Sequence, residues 1–271
     1  MKKLLGLMMI LVLVFALAGC GGGGEAAESG TDAEYVQGNG VMKIGYTVYE
    51  PMNYTDDEGV FTGFDTELAT AVCEKIGVEP EFIEINWDTK TVELEAKNID
   101  CIWNGMTITE ELLANITISD PYAKNSQVMI KKRGTQSKIK ATEDVIGKTV
   151  VAEAGSAGEK AIQADENLSQ AELVTVTKQT DALVEVQAGT ADVAVIDLTM
   201  AKATIGEGTD FEELNLIDGV ELSLEEYGVG FRKDSDLAEL VNNAFAELVA
   251  DGTIADLAEK YGVVLADAMQ K

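Results

Sequence analysis

The feature that most constrains this chain is a rhythm. From about residue 41 onward, short apolar runs alternate with stretches whose apolar residues recur every three or four positions, and the alternation restarts near Thr149. Short runs bounded by turn residues suit strands, and the longer period suits helices. Residues 41–46, 81–85, 99–103 and 127–131 read as strands. Between them Phe64, Leu68, Ala71, Val72 and Ile76 share one helical face, with Asp65 placed to cap its start and Gly77 its end. Further helices are expected over 89–97 and 109–115. After the restart, strands at 149–152, 173–176 and 193–196 alternate with helices opening at Gly155, covering 180–188, and beginning at Thr199. Residues 227–231 read as a returning strand. Leu237, Leu240, Val241, Ala244 and Leu248 form a last long stripe; Gly252 breaks it, and Thr253 with Asp256 resembles a capping box for a helix to Tyr261. The class is therefore α/β, with sheets flanked by helices, and the restart predicts two similar lobes. In such sheets ligands sit beyond the carboxyl ends of the strands. Three of those ends carry unusual residues: 103–107, Gly155-Ser156 and Asp197.

The chain ahead of residue 41 is a processing and tethering segment. Lys2 and Lys3 precede an apolar run over 4–17, interrupted only by Gly6, which is shorter than the roughly 20 residues of a membrane span. It ends in Leu17-Ala18-Gly19-Cys20, small residues against a cysteine, the pattern of a bacterial lipobox. Residues 1–19 are expected to be cleaved and Cys20 to carry lipid on the outer face of the plasma membrane. Residues 20–40, with four consecutive glycines and almost no large apolar side chains, are expected to be a flexible tether.

Charge and composition exclude several functions. The formal net charge is −28, and losing Lys2 and Lys3 makes it more negative still. Nucleic acid phosphates would be repelled. There is no histidine, which removes histidine metal sites and histidine-based triads together. No cofactor or metal is expected. Cys73 and Cys101 read as two buried thiols, on a helix face and in a strand, although the compartment would permit a disulfide.

A set of short motifs occurs in a fixed order: Gly63-Phe64-Asp65, Gly105-Met106-Thr107-Ile108-Thr109, Ser119-Asp120-Pro121-Tyr122, Gly147-Lys148-Thr149-Val150, Ala154-Gly155-Ser156, Asp192 through Asp197, and Tyr227-Gly228-Val229-Gly230-Phe231. Together they resemble the family 3 solute-binding proteins of polar amino-acid ABC transporters. The resemblance implies a two-lobe fold of the periplasmic-binding-protein type II, each lobe a mostly parallel sheet flanked by helices. Lobe one would comprise 41–127 plus 227–271 and lobe two 128–226, with a two-strand hinge near 127–130 and 227–231. It implies a monomer that captures an amino acid or related small amine by lobe closure and delivers it to an ABC permease and its ATPase. An enzyme of dehydratase type on the same fold and a sensory ligand-binding module are the alternatives.

The site residues follow from both lines of reasoning. Asp197 ends an apolar strand, where a carboxylate can pair with an ammonium group, and the matching family aspartate holds the ligand's α-amino group. A helix cap is its other reading. Gly155 and Ser156 open a helix whose free N–H groups favour an anion, and the family uses this turn for a carboxylate. Gly105 and Thr107 match positions that offer backbone and hydroxyl groups. Tyr49 and Trp87 match aromatic walls, whereas Trp103 reads as core. Glu153, just before the small-residue turn, reads either as an acid that favours a cationic ligand group or as a solvated charge or intralobe ion pair. One position departs from the family: Leu112 stands where an arginine commonly clamps the ligand carboxylate. A ligand carboxylate is then expected to rest on neutral donors near Thr107 and Ser156 or on a lysine such as Lys124, and ammonium recognition to dominate.

Overall fold

The structure is a computed structural model that describes residues 30–134 and 138–270. The leader, Cys20 and the first part of the tether lie outside the described residues. Lobe one begins with α1 (Asp32–Asn39) and β1 (Val41–Tyr46), then the small hairpin β2 (Tyr54–Thr55) and β3 (Phe61–Thr62). It continues through α2 (Phe64–Ile76), β4 (Glu79–Glu84), α3 (Lys90–Glu95), β5 (Cys101–Ile102), α4 (Glu110–Asn115) and β6 (Thr117–Ile118). The chain crosses into lobe two along β7 (Ala123–Lys132), followed by β8 (Thr149–Glu153), α5 (Ala157–Ala164), β9 (Glu172–Val176), α6 (Gln179–Ala188), β10 (Val193–Asp197) and α7 (Leu198–Thr204). It returns along β11 (Leu214–Tyr227) and closes with β12 (Gly230–Phe231), α8 (Leu237–Asp251), α9 (Thr253–Tyr261) and β13 (Val264–Leu265).

Each lobe has its own sheet, ordered β4-β1-β5-β12-β6 in lobe one and β11-β7-β10-β8-β9 in lobe two. The sheets are mixed. The strands joined through helices are parallel: β4, β1 and β5 in one lobe, and β9, β8 and β10 in the other. The strands next to the crossing run antiparallel, because the chain leaves and re-enters each lobe there. Mostly parallel therefore describes the helix-linked half of each sheet. The parallel strands set their carboxyl ends toward the space between the lobes, which is what builds a site from residues distant in sequence.

Several local expectations change. The tether does not run to residue 40 as flexible chain, because Thr31 and Glu34 form a capping box and α1 docks on lobe one. Ala33 and Val36 are buried, Asp32 pairs with Arg232 at 2.9 Å, and the Ala33 N–H donates to Asp236. Only two of the eight α1 residues are buried, so its sequence shows no stripe. Asp65 does not cap α2; Gly63 takes that position and Asp65 is wholly buried in the first turn. Thr253 likewise makes no capping bond for α9, since its hydroxyl donates to Asp251, and Gly252 ends α8 and begins α9. The returning strand of 227–231 is two strands: Tyr227 ends β11, and Gly230–Phe231 joins the sheet of lobe one.

The core of lobe one packs Trp103 against Phe245 and Phe64 against Tyr122. Trp103 is core, as its strand position indicates. Cys73 and Cys101 are buried and unbonded, and burial pushes the Cys73 thiol up to about 12. No helix among the described residues is long and apolar enough to cross a membrane.

Candidate functional site

A cavity of about 270 Å³ lies between the lobes. Lobe one contributes Trp87, Lys90 and the turn from Asn104 to Thr107; lobe two contributes Glu153, Gly155, Ser156, Gln179 and Asp197. Volumes near this lower end of ligand-pocket sizes suit one small solute. Seven of the eight residues singled out from sequence meet here. The eighth, Tyr49, is buried behind the wall, and its hydroxyl shares a 2.8 Å hydrogen bond with the Tyr227 hydroxyl.

Asp197 closes β10, and its side chain caps nothing. Its Oδ1 accepts from Asn125 Nδ2 at 2.5 Å and Gln127 Nε2 at 2.6 Å, and its Oδ2 accepts from Gln179 Nε2. Gln179 Oε1 in turn accepts the Asp197 N–H at 2.9 Å. Burial, then the nearby Glu225 carboxylate, push the Asp197 carboxyl above its usual range, and the amide bonds oppose them. Glu225 Oε2 accepts from Thr107 Oγ1, Asn125 and Gln127, so one amide network ties β7, β10, β11 and the Thr107 turn together. Asn125 and Gln127 sit two apart on a buried strand, hence on one face. That polar pair was the sequence signal for this network.

The Gly105 turn is set by its backbone. Gly105 has φ of 57°, and a Cβ there would lie 2.7 Å from the Tyr49 ring. Its N–H donates to Asp65 Oδ2 at 2.7 Å, and the Tyr122 hydroxyl donates to the same oxygen. Asp65 thus acts as the buried support of the turn, and burial raises its carboxyl to about 7. Across the cleft, Ser156 caps α5 by accepting the Glu159 N–H, and the Gly155 N–H donates to Glu159 Oε2 at 2.7 Å. The anion-accepting N–H of that turn is therefore held by the chain's own carboxylate.

Lys90 is the residue that sequence reasoning missed. It is 9% exposed, and its Nζ donates to the Trp87 carbonyl at 3.1 Å and to the Gly155 carbonyl at 2.9 Å, the second across the cleft. It also lies 4.7 Å from the Trp87 ring centroid. Burial first, then Lys160, bring its ammonium down to about 8. Leu112 lines the cavity as an apolar patch. Lys124 is elsewhere, bonded to Asp267 at 2.5 Å on the exposed side, so it is not the cation facing the ligand space. Two further pairs join the lobes, Lys160 with Glu111 and Lys178 with Glu84. Among the described residues no cluster of side chains suits a metal ion.

Comparison with known proteins gives these features a relationship. The chain is similar to the L-cystine-binding protein TcyJ of Escherichia coli, 28% identical over 228 residues covering 83% of this chain and 84% of that protein. It is 28% identical over 266 residues to the arginine-binding extracellular protein ArtP of Bacillus subtilis, covering 96% of this chain and 98% of the relative. Among solved structures, a substrate-binding protein of an ABC uptake transporter from Streptococcus pneumoniae with bound histidine superposes with a TM-score of 0.77. It is 31% identical and covers 88% of this chain and 99% of that one. The model of the bacterial extracellular solute-binding proteins, family 3, matches residues 42–264, which include every cavity residue named above. On that match, the chain belongs to the family 3 bacterial extracellular solute-binding proteins.

Proposed function

We propose that this protein captures a free amino acid or a closely related amine in the inter-lobe cavity, seats its ammonium group on Asp197, and hands it unchanged to an ABC permease. The observation that carries the reading is a buried carboxylate at the end of β10, held by three amide side chains and forming no ion pair among the described residues. A charge so arranged gains most from an arriving cation, as a charge-assisted hydrogen bond. The names of the relatives, which bind cystine and arginine, and the histidine in the pneumococcal structure favour the same ligand class.

In this reading Trp87 forms an apolar wall, the Gly105 and Thr107 turn and Ser156 offer polar edges, and Tyr49 backs the turn. Lobe one comprises 41–127 and 227–271, joined by α1, and lobe two 128–226; β7 and β11 carry the hinge. Lipid on Cys20 holds the monomer at the outer face of the membrane. The test is a thermal-shift screen of amino acids, decarboxylated amines and small peptides, followed by calorimetry. A ligand at about 100 times its Kd stabilises the fold by roughly 2.7 kcal/mol. The ligand should be recovered chemically intact after prolonged incubation. Turnover of the ligand, or no stabilisation by any amine, would overturn the reading.

A further inference from the structure

Among the described residues, Glu153 is the buried carboxylate of this cavity with an oxygen that no hydrogen-bond donor meets. It is the last residue of β8, next to β10 in the sheet, and only 2% exposed. It lines the cavity, and its Oε1 accepts no hydrogen bond. Asp197, by contrast, is held by three amides. The lining carries four carboxylates, Asp88, Glu111, Glu153 and Asp197, against two ammonium groups, Lys90 and Lys160. Lys160 is committed to Glu111, and Lys90 gives its hydrogen bonds to main-chain carbonyls. The walls therefore carry more acidic groups than cations, with one buried oxygen unmatched, an arrangement that is costly unless a donor arrives.

We propose that Glu153 is a second cation receptor, so that the ligand carries two positive groups: an ammonium on Asp197 and a second, at its other end, on Glu153. The class is an amino acid with a cationic side chain, or a diamine. This rests on the Asp197 reading above. The groups facing Glu153 set its proton affinity. Its carboxyl is raised to about 8, by burial first and then by Asp197 and Asp181, with Lys90 and Lys178 opposing. Near neutral pH an arriving cation therefore displaces a proton, and binding of a doubly cationic ligand releases one.

Calorimetric titration of the full chain with matched probes tests this: L-lysine against L-norleucine, L-arginine against L-citrulline, with cadaverine as the diamine. Each is titrated into the native protein, Glu153→Gln and Asp197→Asn, in two buffers of different ionisation enthalpy. The native protein is expected to prefer the cationic member of each pair by at least about tenfold. Glu153→Gln should shrink that preference to roughly threefold or less. Proton release on lysine binding should shrink in the same variant. Cadaverine binding tighter than L-lysine assigns the diamine. Equal binding of both members of each pair by the native protein overturns the proposal, as does an unchanged preference in Glu153→Gln. Should that variant not fold, absence of proton release in the native protein overturns it instead. A lack of effect of Asp197→Asn on every probe that binds would instead sink the Asp197 reading, whatever Glu153 does.

Discussion

The Asp197 carboxylate is buried, only 5% exposed, and accepts from three amide side chains. Asp197→Asn removes the charge and keeps the shape. Loss of one partner of a buried charged pair costs about 2 to 5 kcal/mol, so ligand affinity should fall by tens to thousands of fold in calorimetry, with the fold intact. Gly105→Ala makes a different test. Its φ of 57° and the 2.7 Å approach to Tyr49 mean that a methyl group strains the backbone and displaces the ring. The variant should lose more than about 1 kcal/mol of stability in denaturant melts, and bind more weakly because the turn shifts. Asp197 was legible in sequence because it ends an apolar strand and matches the family position, whereas the Gly155-Ser156 turn and Glu153 beside it were picked out chiefly through the resemblance. Asp65 was not: its partner Gly105 lies 40 residues away, and a local pattern offered only a cap. Lys90 was hidden for a similar reason. A lysine on a short helix reads as a solvated charge, and only the approach of Gly155 from the other lobe buries it.

Among the elements, α1 carries the clearest test. Its docking rests on Ala33, Val36 and the Asp32–Arg232 pair, of which Arg232 is also bonded to Asp100. Starting the chain at residue 41 exposes the surface that Val36 covers and leaves Arg232 with one carboxylate. Burial of a valine-sized side chain stabilises by roughly 1.5 to 3 kcal/mol. At about 2 to 4 °C per kcal/mol for a chain of this size, the melting temperature should fall by roughly 5 to 10 °C. A melt unchanged by the truncation would return the segment to a tether. The elements with an unbroken period were legible almost to the residue, β1, α2 and α8 among them. The 14-residue β11 was not, because register shifts between Leu216, Glu221 and Ser223 break its alternation of faces. The same strand ends at Tyr227, which split the expected 227–231 strand in two.

For the whole molecule, the buried carboxyls set a pH dependence. Glu153 is raised from 4.5 to about 8 and Asp65 from 3.8 to about 7, both chiefly by burial. A carboxyl held above its ordinary value binds its proton more tightly in the folded chain. The stability it adds is full below about 4 and is lost as pH rises through its folded value. The ligand-free protein should therefore melt higher at pH 5 than at pH 8, and Glu153→Gln should flatten that slope. The two-lobe plan was legible from the restart of the strand–helix rhythm at Thr149. The contacts that close the lobes were not, since Lys178 meets Glu84 and Lys160 meets Glu111 only once both sheets are in place. Those contacts also reveal the mechanics. Asn125, Gln127 and Glu225 lie on the two strands that cross between the lobes, whereas Glu84 and Lys178 adjoin β4 and β9, the sheet edges farthest from that crossing. The molecule is a pair of tongs hinged beside its pocket: in the proposed closure, a small rotation next to Asp197 becomes a long sweep at the tips, and the outer surface changes far more than the pocket does.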